Sequence, residues 1–292
     1  MNVRVEIVNA FVDAGTGGNP AGVVLDADGL SDGQKLAVAR QVGLSETAFV
    51  SASEVASFKL DFFTPARRIA HCGHATIATF CHLRQLGRIG DGSSSKETVD
   101  GPREILVRGE QAFMEQTPPR FMPLPADGVL EREVFASLGI GPDDLAAGLR
   151  PEVVSTGNAF MLLPLKDEAA LASLVPNPAL IARISTPLDL VGYYAFCRQT
   201  RGAASAAAAR MFAPRYGIAE EAETGMAAGP LACYLHHRLG IRAPRLHIEQ
   251  GRFMRPASPS LIQVDLAAEG AAIRSVFVGG QASRVSSLLV EI

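Results

Sequence analysis

The sequence predicts an α+β protein that consists of two similar domains. The chain has 292 residues, which is more than one ordinary core needs, because domains most often contain about 100–150 residues. Two of its segments have the pattern of buried helices, with apolar residues on nearly every side. The same order of local signals surrounds both segments, at a separation of roughly 140–150 residues, and this order indicates an internal repeat.

The first domain is expected to start with a strand and a capped helix. Residues 1–8 alternate polar and apolar side chains, as a half-buried strand does. Ser31 and Gln34 have the spacing of a capping box, and Gly43 stands where a left-handed residue ends a helix, so a helix is expected between them. The strands expected next cover residues 44–50 and 58–63.

The two apolar helices are expected over residues 74–86 and 226–239. Each follows a glycine, Gly73 or Gly225, and each ends in basic residues followed by Leu-Gly. Each also lies a short way after a Phe-x-Pro triplet. A looser match pairs residues 18–21 with residues 157–160, since both begin with Gly-Asn. Together these matches favour two domains of the same design.

Residues 116–125 are rich in proline and are expected to form the linker, because proline cannot sustain a sheet ladder. The first domain is therefore expected to span residues 1–116, completed by the carboxy-terminal segment 277–292, and the second residues 117–276. Residues 90–96 have the composition of a polar surface loop. The alanine-rich segment 202–209 is expected to be a mobile loop or a short helix.

Composition and charge exclude several classes of protein. The formal net charge of −3 and the charged fraction of 20% lack the basic excess that nucleic-acid binding requires. No stretch approaches the ~20 apolar residues of a membrane span, and the amino terminus lacks the apolar segment of a secretory signal. The four cysteines are scattered, which favours a reducing compartment. We expect a cytoplasmic protein that binds neither nucleic acid nor a membrane.

Glu46 is the first candidate for chemistry. In the expected strand it shares a face with Leu44 and Ala48, so a lone carboxylate would sit among apolar neighbours. Burial would raise its pKa toward the range useful for proton transfer at neutral pH. A strand at the edge of the sheet, where Glu46 meets solvent or an arginine, fits the pattern equally well.

The turn Cys72-Gly73-His74 is the second candidate. The first N–H groups of a helix have no partner within it, so those of Gly73 and His74 can hold an anion such as a substrate carboxylate. Gly225 and Met226 would form a second such site, and both could serve one small acid if the domains face each other across a cleft. An ordinary helix start explains either turn taken alone.

Two further side chains have weaker claims. His74 could share protons, although a lone histidine in the first turn of a buried helix is more often structural. Glu221 could bind a substrate amine or hydroxyl, although neighbouring carboxylates such as Glu220 and Glu221 are most often solvated. The sequence contains no HExxH, CxxC or GxGxxG motif and no phosphate-loop lysine, so neither a metal nor an organic cofactor is indicated.

With these residues placed, the sequence resembles the PhzF-like family, named for the phenazine-biosynthesis isomerase and part of the diaminopimelate epimerase superfamily. The similarity runs nearly from end to end. It rests on the following segments, in this order: Gly18-Asn19-Pro20, Leu44-Ser45-Glu46-Thr47-Ala48, Phe63-Thr64-Pro65, Cys72-Gly73-His74-Ala75-Thr76, Arg210-Met211-Phe212-Ala213-Pro214, Thr224-Gly225, Ile248-Glu249-Gln250-Gly251, Met254-Arg255-Pro256 and Val278-Gly279-Gly280.

The resemblance implies a diaminopimelate epimerase-like fold. Its two pseudo-symmetric domains would each be a mainly antiparallel sheet curled around a central buried helix, with the active site between them. It also implies no cofactor, no metal and a homodimer. By this resemblance Glu46 is the proton shuttle, while His74 and Glu221 help to bind the substrate.

The chain departs from the family pattern in the second repeat. Where the family often has Asp-Pro-x-Thr-Gly-Ser, this sequence has residues 221–226, Glu-Ala-Glu-Thr-Gly-Met, and Arg68 stands where a glutamate is usual. Two-base epimerases of the superfamily use one thiol from each domain. Cys72 matches one thiol, but Thr224 stands at the other place, and its hydroxyl is far too weakly acidic to serve. One-base proton transfer by Glu46 is therefore expected.

The sequence thus predicts an isomerase that moves a proton on a small carboxylate-bearing metabolite by one-base chemistry in the interdomain cleft. An epimerase or dehydratase that uses the same base remains an alternative. A binding protein that kept the cleft and lost turnover is another, because Glu221 and Met226 replace the usual side chains of the family.

Overall fold

The computed structural model describes residues 1–99, 101–126, 128–270 and 272–292. The helices α1–α6 cover Asp32–Val42, Gly73–Gln85, Val129–Leu138, Glu168–Ala172, Pro178–Ser185 and Gly225–Arg238. The strands β1–β8 cover Asn2–Ala10, Asn19–Val24, Thr47–Ser51, Phe58–Phe63, Arg68–Ile69, Gly92–Thr98, Gly101–Arg108 and Gln111–Gln116. The strands β9–β17 cover Arg120–Pro123, Glu152–Ser155, Ala159–Pro164, Leu190–Cys197, Ala207–Ala213, Ile218–Glu221, Arg245–Gln250, Ser260–Glu269 and Ala272–Glu291.

The chain divides into two compact units. Unit 1 consists of Met1–Glu115 and Gly279–Ile292, and unit 2 of Gln116–Val278. The carboxy-terminal part of β17 belongs to unit 1, where it pairs with β1 from Asn2 opposite Glu291 to Ala10 opposite Ala282. The units are described one at a time below.

Unit 1 contains a mixed, mostly antiparallel sheet. Strand β1 pairs antiparallel with β2, and β2 pairs parallel with β3. Strand β4 pairs antiparallel with β3 and β5 and parallel with β6, and β6 and β7 form an antiparallel pair. A parallel pair needs a crossover connection, and the crossovers here contain α1 and α2. The short strand β5 ends at Ile69, and α2 begins at Gly73.

Unit 2 repeats the same pairing order. Strand β10 pairs antiparallel with β11, and β11 pairs parallel with β12. Strand β13 pairs antiparallel with β12 and β14 and parallel with β15, which pairs antiparallel with β16. Helices α4 and α5 lie in the first crossover and α6 in the second. Helix α6 thus occupies the same topological position in unit 2 as α2 does in unit 1.

The helix signals in the sequence act as expected. Ser31 and Gln34 form both hydrogen bonds of the capping box at the start of α1, and Gly43 ends this helix with a left-handed φ of 70°. Helix α2 is buried without interruption from His74 to Leu83. Helix α6 is buried from Ala227 to His236. Both helices begin and end one residue earlier than predicted.

Four local predictions are wrong. Strand β3 begins at Thr47, so Glu46 immediately precedes the strand and does not share its alternation with Leu44 and Ala48. The expected loop at 90–96 is largely strand β6. The alanine-rich segment ends in the buried strand β13, because neighbouring strands pair with it on both sides. The proline-rich linker begins at the boundary between the units, at Gln116, but the expectation that it forms no sheet ladder is wrong, because it contains β9, which pairs with β10.

Among the described residues, no helix combines the length and the apolar character that a bilayer crossing requires.

Candidate active site

In unit 1, the close approach of two strands holds Glu46 in place. The backbone carbonyl of Glu46 accepts a hydrogen bond of 3.1 Å from the N–H of Gly22 on β2. A Cβ atom added at Gly22 would lie 2.7 Å from Thr47 Oγ1 and 3.2 Å from Val5 Cγ1. Strand β2 can therefore approach β3 this closely only where residue 22 has no side chain.

The Glu46 carboxylate faces the ring of His74, the second residue of α2. Glu46 Oε2 lies 3.3 Å from His74 Nε2. On the other side of the ring, Asn19 Nδ2 lies 3.3 Å from His74 Nδ1. Because an amide nitrogen only donates, this contact assigns Nδ1 as the acceptor and places the ring proton on Nε2, toward Glu46.

Burial sets the charge of this histidine. It lowers the pKa of His74 below its ordinary value, and the negative charge of Glu46 acts in the opposite direction without reversing the shift. The ring is therefore neutral at neutral pH. His74 offers Glu46 a polar N–H group rather than a full positive charge.

The Glu46 carboxylate is only partly satisfied by hydrogen bonds. Its side chain is 18% exposed, yet Oε2 is buried and has no well-directed hydrogen bond from the described residues. A buried polar atom without a partner costs about 1–3 kcal/mol, and such atoms are uncommon in native structures. Oε2 therefore has the His74 ring as a polar neighbour, but its capacity to accept a hydrogen bond is not filled by the described residues.

The thiol of Cys72 joins this cluster. Its Sγ lies 3.7 Å from His74 Nδ1 and 3.9 Å from Nε2. One ligand atom each from Glu46, Cys72 and His74 lie within 4.8 Å of one another, which is close enough to share a cation such as zinc. The sequence prediction that the chemistry needs no metal therefore stays a prediction.

The amino terminus of α2 adds hydrogen-bond donors beside these groups. The N-cap residue Cys72 makes no side-chain capping bond, and its carbonyl accepts the N–H of Thr76 at 3.3 Å. The N–H groups of Gly73, His74 and Ala75 precede that bond and have no acceptor within the helix. Together with the helix dipole, they form a site suited to an anion.

Unit 2 repeats the arrangement with different side chains. Asn158 Nδ2 lies 3.3 Å from Met226 Sδ, as Asn19 lies against His74 in unit 1. Met226 is the second residue of α6, so a thioether stands in the place of the imidazole. The second unit therefore lacks a titratable group at this position.

A hydrogen-bonded network fixes the turn before α6. Gln250 Nε2 donates to the carbonyl of Glu221 at 2.8 Å and to Thr224 Oγ1 at 3.0 Å. Thr224 Oγ1 in turn donates to Glu221 Oε2 at 3.4 Å, and the hydroxyl of Tyr194 donates to Gln250 Oε1 at 2.9 Å. These bonds place the half-buried Glu221 beside the amino terminus of α6.

Glu223 lies in the same turn and is a residue that the sequence reasoning did not single out. It is only 2% exposed, and its Oε1 has no hydrogen-bond partner among the described residues. Burial and then the neighbouring Glu221 raise the pKa of Glu223 well above the usual range, while a hydrogen bond from the Gly225 N–H works against this shift. One of the two predicted anion donors, Gly225, therefore already faces a carboxyl group.

The structure thus places the predicted residues in two clusters. Unit 1 brings Glu46, Gly73 and His74 together, and unit 2 brings Glu221, Gly225 and Met226 together. Sequence reasoning missed the roles of Asn19 and Asn158. The Gly-Asn match between the two repeats was the signal that could have revealed them.

The chain is similar to a known family and to several known proteins. The model of a family described as phenazine biosynthesis-like protein matches residues 8–287. A Salmonella typhimurium protein named "Uncharacterized isomerase YddE" is 34% identical over 244 residues, which cover 82% of this chain and 81% of that protein.

Two solved structures share the whole fold. The PhzF-family phenazine biosynthesis protein of Bacillus anthracis superimposes with a TM-score of 0.88 at 29% identity, covering 100% of both chains. A predicted epimerase of Pseudomonas aeruginosa, PA4716, superimposes with a TM-score of 0.77 at 25% identity, covering 99% of both chains. The names isomerase and epimerase confirm the predicted enzyme class, and the match over residues 8–287 shows that the chain belongs to the phenazine biosynthesis-like family.

Proposed function

We propose that this protein is a cofactor-independent isomerase that moves a proton on a small carboxylate-bearing substrate, with Glu46 as the acid and base. The observation that carries this proposal is the buried Oε2 of Glu46, which lies 3.3 Å from His74 Nε2 at the amino terminus of α2 but has no hydrogen bond of good geometry among the described residues. A base needs an oxygen that is free to take a proton, and the adjoining N–H groups supply a place for an anion.

In this mechanism the N–H groups of Gly73 and His74 hold the substrate carboxylate. Glu46 then takes a proton from a carbon next to an unsaturated or carbonyl-like group and returns it elsewhere on the same face. The same N–H groups stabilise the negative charge that develops as the proton leaves. General acid–base catalysis of this kind contributes typically about 10²- to 10⁴-fold to the rate.

The neutral ring of His74 positions Glu46 in this scheme. The N–H group at Nε2 faces the carboxylate at 3.3 Å and orients it, and the neutral ring places no full positive charge beside it. Asn19 fixes the orientation of the ring through Nδ1.

An epimerase is the second candidate, and the contact of Cys72 Sγ with the His74 ring favours it. A thiol needs a base to become a nucleophile or a proton acceptor. Both ring nitrogens of His74 already face other groups, Asn19 at Nδ1 and Glu46 at Nε2, so the ring is poorly placed to act as the base that the Cys72 thiol needs. Glu46 is therefore a better candidate for the catalytic base than Cys72.

The test is exchange of substrate hydrogen with deuterated solvent, followed by mass spectrometry over a panel of small unsaturated and hydroxylated carboxylates. We predict that Glu46→Gln reduces exchange on the order of 10³-fold or more, because the amide cannot accept the proton. Ligand binding should largely remain, since the proposed anion donors are backbone groups. Glu54→Gln makes the same chemical change at an exposed loop residue and should leave exchange unchanged.

Glu46→Asp should also be impaired, because removing one methylene withdraws the carboxylate by roughly 1 Å. Wild-type exchange in Glu46→Gln would show that Glu46 is not the base. Exhaustive chelation of the wild type tests independence from metals: loss of exchange that zinc or manganese restores would contradict that part of the proposal. Elimination of water from a hydroxylated substrate would identify a dehydratase instead.

A further inference from the structure

Glu223 is buried at a helix terminus without the partners that a buried acid normally has. It directly precedes Thr224, the N-cap residue of the 14-residue helix α6. Thr224 makes no side-chain capping bond, so its hydroxyl leaves the first N–H groups of the helix to other acceptors. The side chain of Glu223 is directed to this end of the helix, where its carboxyl group meets the N–H of Gly225.

The surroundings of Glu223 contain acids and a phenol. Glu221, the last residue of β14, lies near enough to raise the pKa of Glu223 further. Tyr194 on β12 is fully buried, and burial followed by the charge of Glu223 raises the pKa of its hydroxyl well above the usual range. No described basic side chain is hydrogen-bonded or ion-paired to Glu223, so the protonated form of its carboxyl group is favoured.

A protonated carboxyl group carries an O–H donor, which needs a hydrogen-bond acceptor. Leaving a buried donor unsatisfied costs about 1–3 kcal/mol, and a buried apolar side chain would avoid this cost. Oε1 of Glu223 has no partner among the described residues. Beside it, Gly225 and Met226 remain partly exposed, so this end of the helix borders the protein surface.

We propose that Glu223 is a carboxylic acid that donates its proton in a hydrogen bond to the carboxylate group of a ligand at the amino terminus of α6. This assignment rests on the proposed function, since the ligand belongs to the same class of small carboxylates. An O–H···O⁻ bond to a charged acceptor is among the strong hydrogen bonds in proteins. The Met226 N–H and the helix dipole complete the site for the anion.

The proposal makes the affinity for carboxylates depend on one proton. An ionised Glu223 would repel a carboxylate, and neither Glu221 nor Tyr194 could compensate for that repulsion. A glutamine at this position keeps an N–H donor at every pH. Wild-type protein should therefore lose carboxylate affinity as the pH rises, whereas Glu223→Gln should not.

The experiment uses the full chain labelled with ¹³C at the methionine methyl groups, so that Met226 reports on the helix end. Acetate is the probe, with acetamide as its uncharged analogue, in a pH series from about 5 to about 9. In the wild type, we expect acetate to shift the Met226 signal and its affinity to fall about 10- to 100-fold as Glu223 ionises, the range expected for a hydrogen bond to a charged group. Acetamide should show no such pH dependence.

Glu223→Gln should bind acetate with nearly constant affinity over the series, and Glu223→Ala should bind it about 10- to 100-fold more weakly than the wild type at low pH. Glu269→Gln, an exposed residue of unit 2, should behave like the wild type. Acetate that leaves Met226 unperturbed, or an equal pH dependence in the wild type and Glu223→Gln, would overturn the proposal.

This result can be separated from failure of the proposed function. The acetate measurement needs no turnover and should be unchanged in Glu46→Gln, whereas solvent exchange of substrate hydrogen depends on Glu46. Acetate binding without exchange would leave Glu223 assigned and the isomerase proposal refuted. Exchange of substrate hydrogen without pH-dependent acetate binding would support the isomerase proposal and refute the role assigned to Glu223.

Discussion

His74 is a buried imidazole held between an amide and a carboxylate. Asn19 and Glu46 each contact one ring nitrogen, and burial keeps the ring neutral despite the negative charge beside it. Titration of this ring should therefore be visible in the stability of the protein. Whether the free energy of unfolding rises or falls with pH depends on which state, folded or unfolded, binds the proton more tightly.

We predict that the free energy of unfolding falls as the pH is lowered through and below 6.5, the ordinary pKa of histidine. The pKa of His74 is lowered in the folded state, so below 6.5 the unfolded chain binds the proton first and stability is lost toward the folded-state pKa. Urea unfolding at a series of pH values measures this slope.

His74→Asn keeps a hydrogen-bond donor for Glu46 and should reduce the slope. His237→Asn is the control, because slight burial and the nearby Arg238 also lower the pKa of His237, but its ring is mostly in solvent and should contribute less than that of His74. Equal slopes in the wild type and His74→Asn would show that the ring does not titrate in this range.

Substitution of Cys72 tests whether its thiol takes part in the reaction. We predict that Cys72→Ala retains exchange of substrate hydrogen within about tenfold of the wild type, because Glu46 and not the thiol is the base. The same mass-spectrometric assay measures the effect. A loss of exchange on the order of 10³-fold or more would support a thiol mechanism and the epimerase alternative.

At the scale of elements, the parallel pair β2–β3 positions the base. Gly22 brings the two strands together, and its N–H holds the carbonyl of Glu46. We predict that Gly22→Ala destabilises the protein by about 1–3 kcal/mol, as overpacking of a filled site does. It should also reduce exchange beyond what the loss of folded protein explains, because the strand shift moves Glu46.

Gly33→Ala is the matched control for this substitution. A Cβ atom at Gly33 would meet nothing within 4 Å, and the residue lies within α1. Alanine there should stabilise the protein by about 0.5–1 kcal/mol and leave exchange unchanged. Urea unfolding and the exchange assay check both variants, and wild-type values for Gly22→Ala would contradict the role assigned to the strand contact.

Element predictions succeed where the signal is local. The capping box of α1 involves residues only three apart, so its pattern in the sequence is also its structure. Strand β13 shows the opposite case, because alanine favours a helix in isolation, yet Ala207–Ala213 is paired between other strands. The start of β3 at Thr47 is likewise set by its pairing with β2 and β4.

At the scale of the whole molecule, the two compact units differ in how the chain builds them. Unit 2 is one continuous segment, Gln116–Val278, whereas unit 1 needs the carboxy-terminal residues from Gly279 onward. Within unit 1, Val290 packs with Val3 and Val5, so this segment completes a core as well as a sheet.

We predict that the fragment 116–278 unfolds cooperatively on its own, while residues 1–115 do not fold unless a peptide of residues 279–292 is added. The reason is that β1 would otherwise lose one of its two neighbouring strands, β17, along nine residue pairs. Circular dichroism with urea unfolding measures both fragments. A folded 1–115 fragment, or an unfolded 116–278 fragment, would contradict the division into these units.

The sequence by itself determined the features that depend on neighbours along the chain. These are the capped helix α1, the two helices that are apolar on all sides, the repeat of signals around them and the enzyme class indicated by motifs such as Leu44-Ser45-Glu46. Tertiary structure alone decided which polar groups are buried and which atoms they face. The contact of Asn19 with His74 joins residues 55 positions apart, and Glu223 is buried although acidic runs are usually solvated. Burial and pairing depend on residues distant in sequence, and no local pattern contains that information.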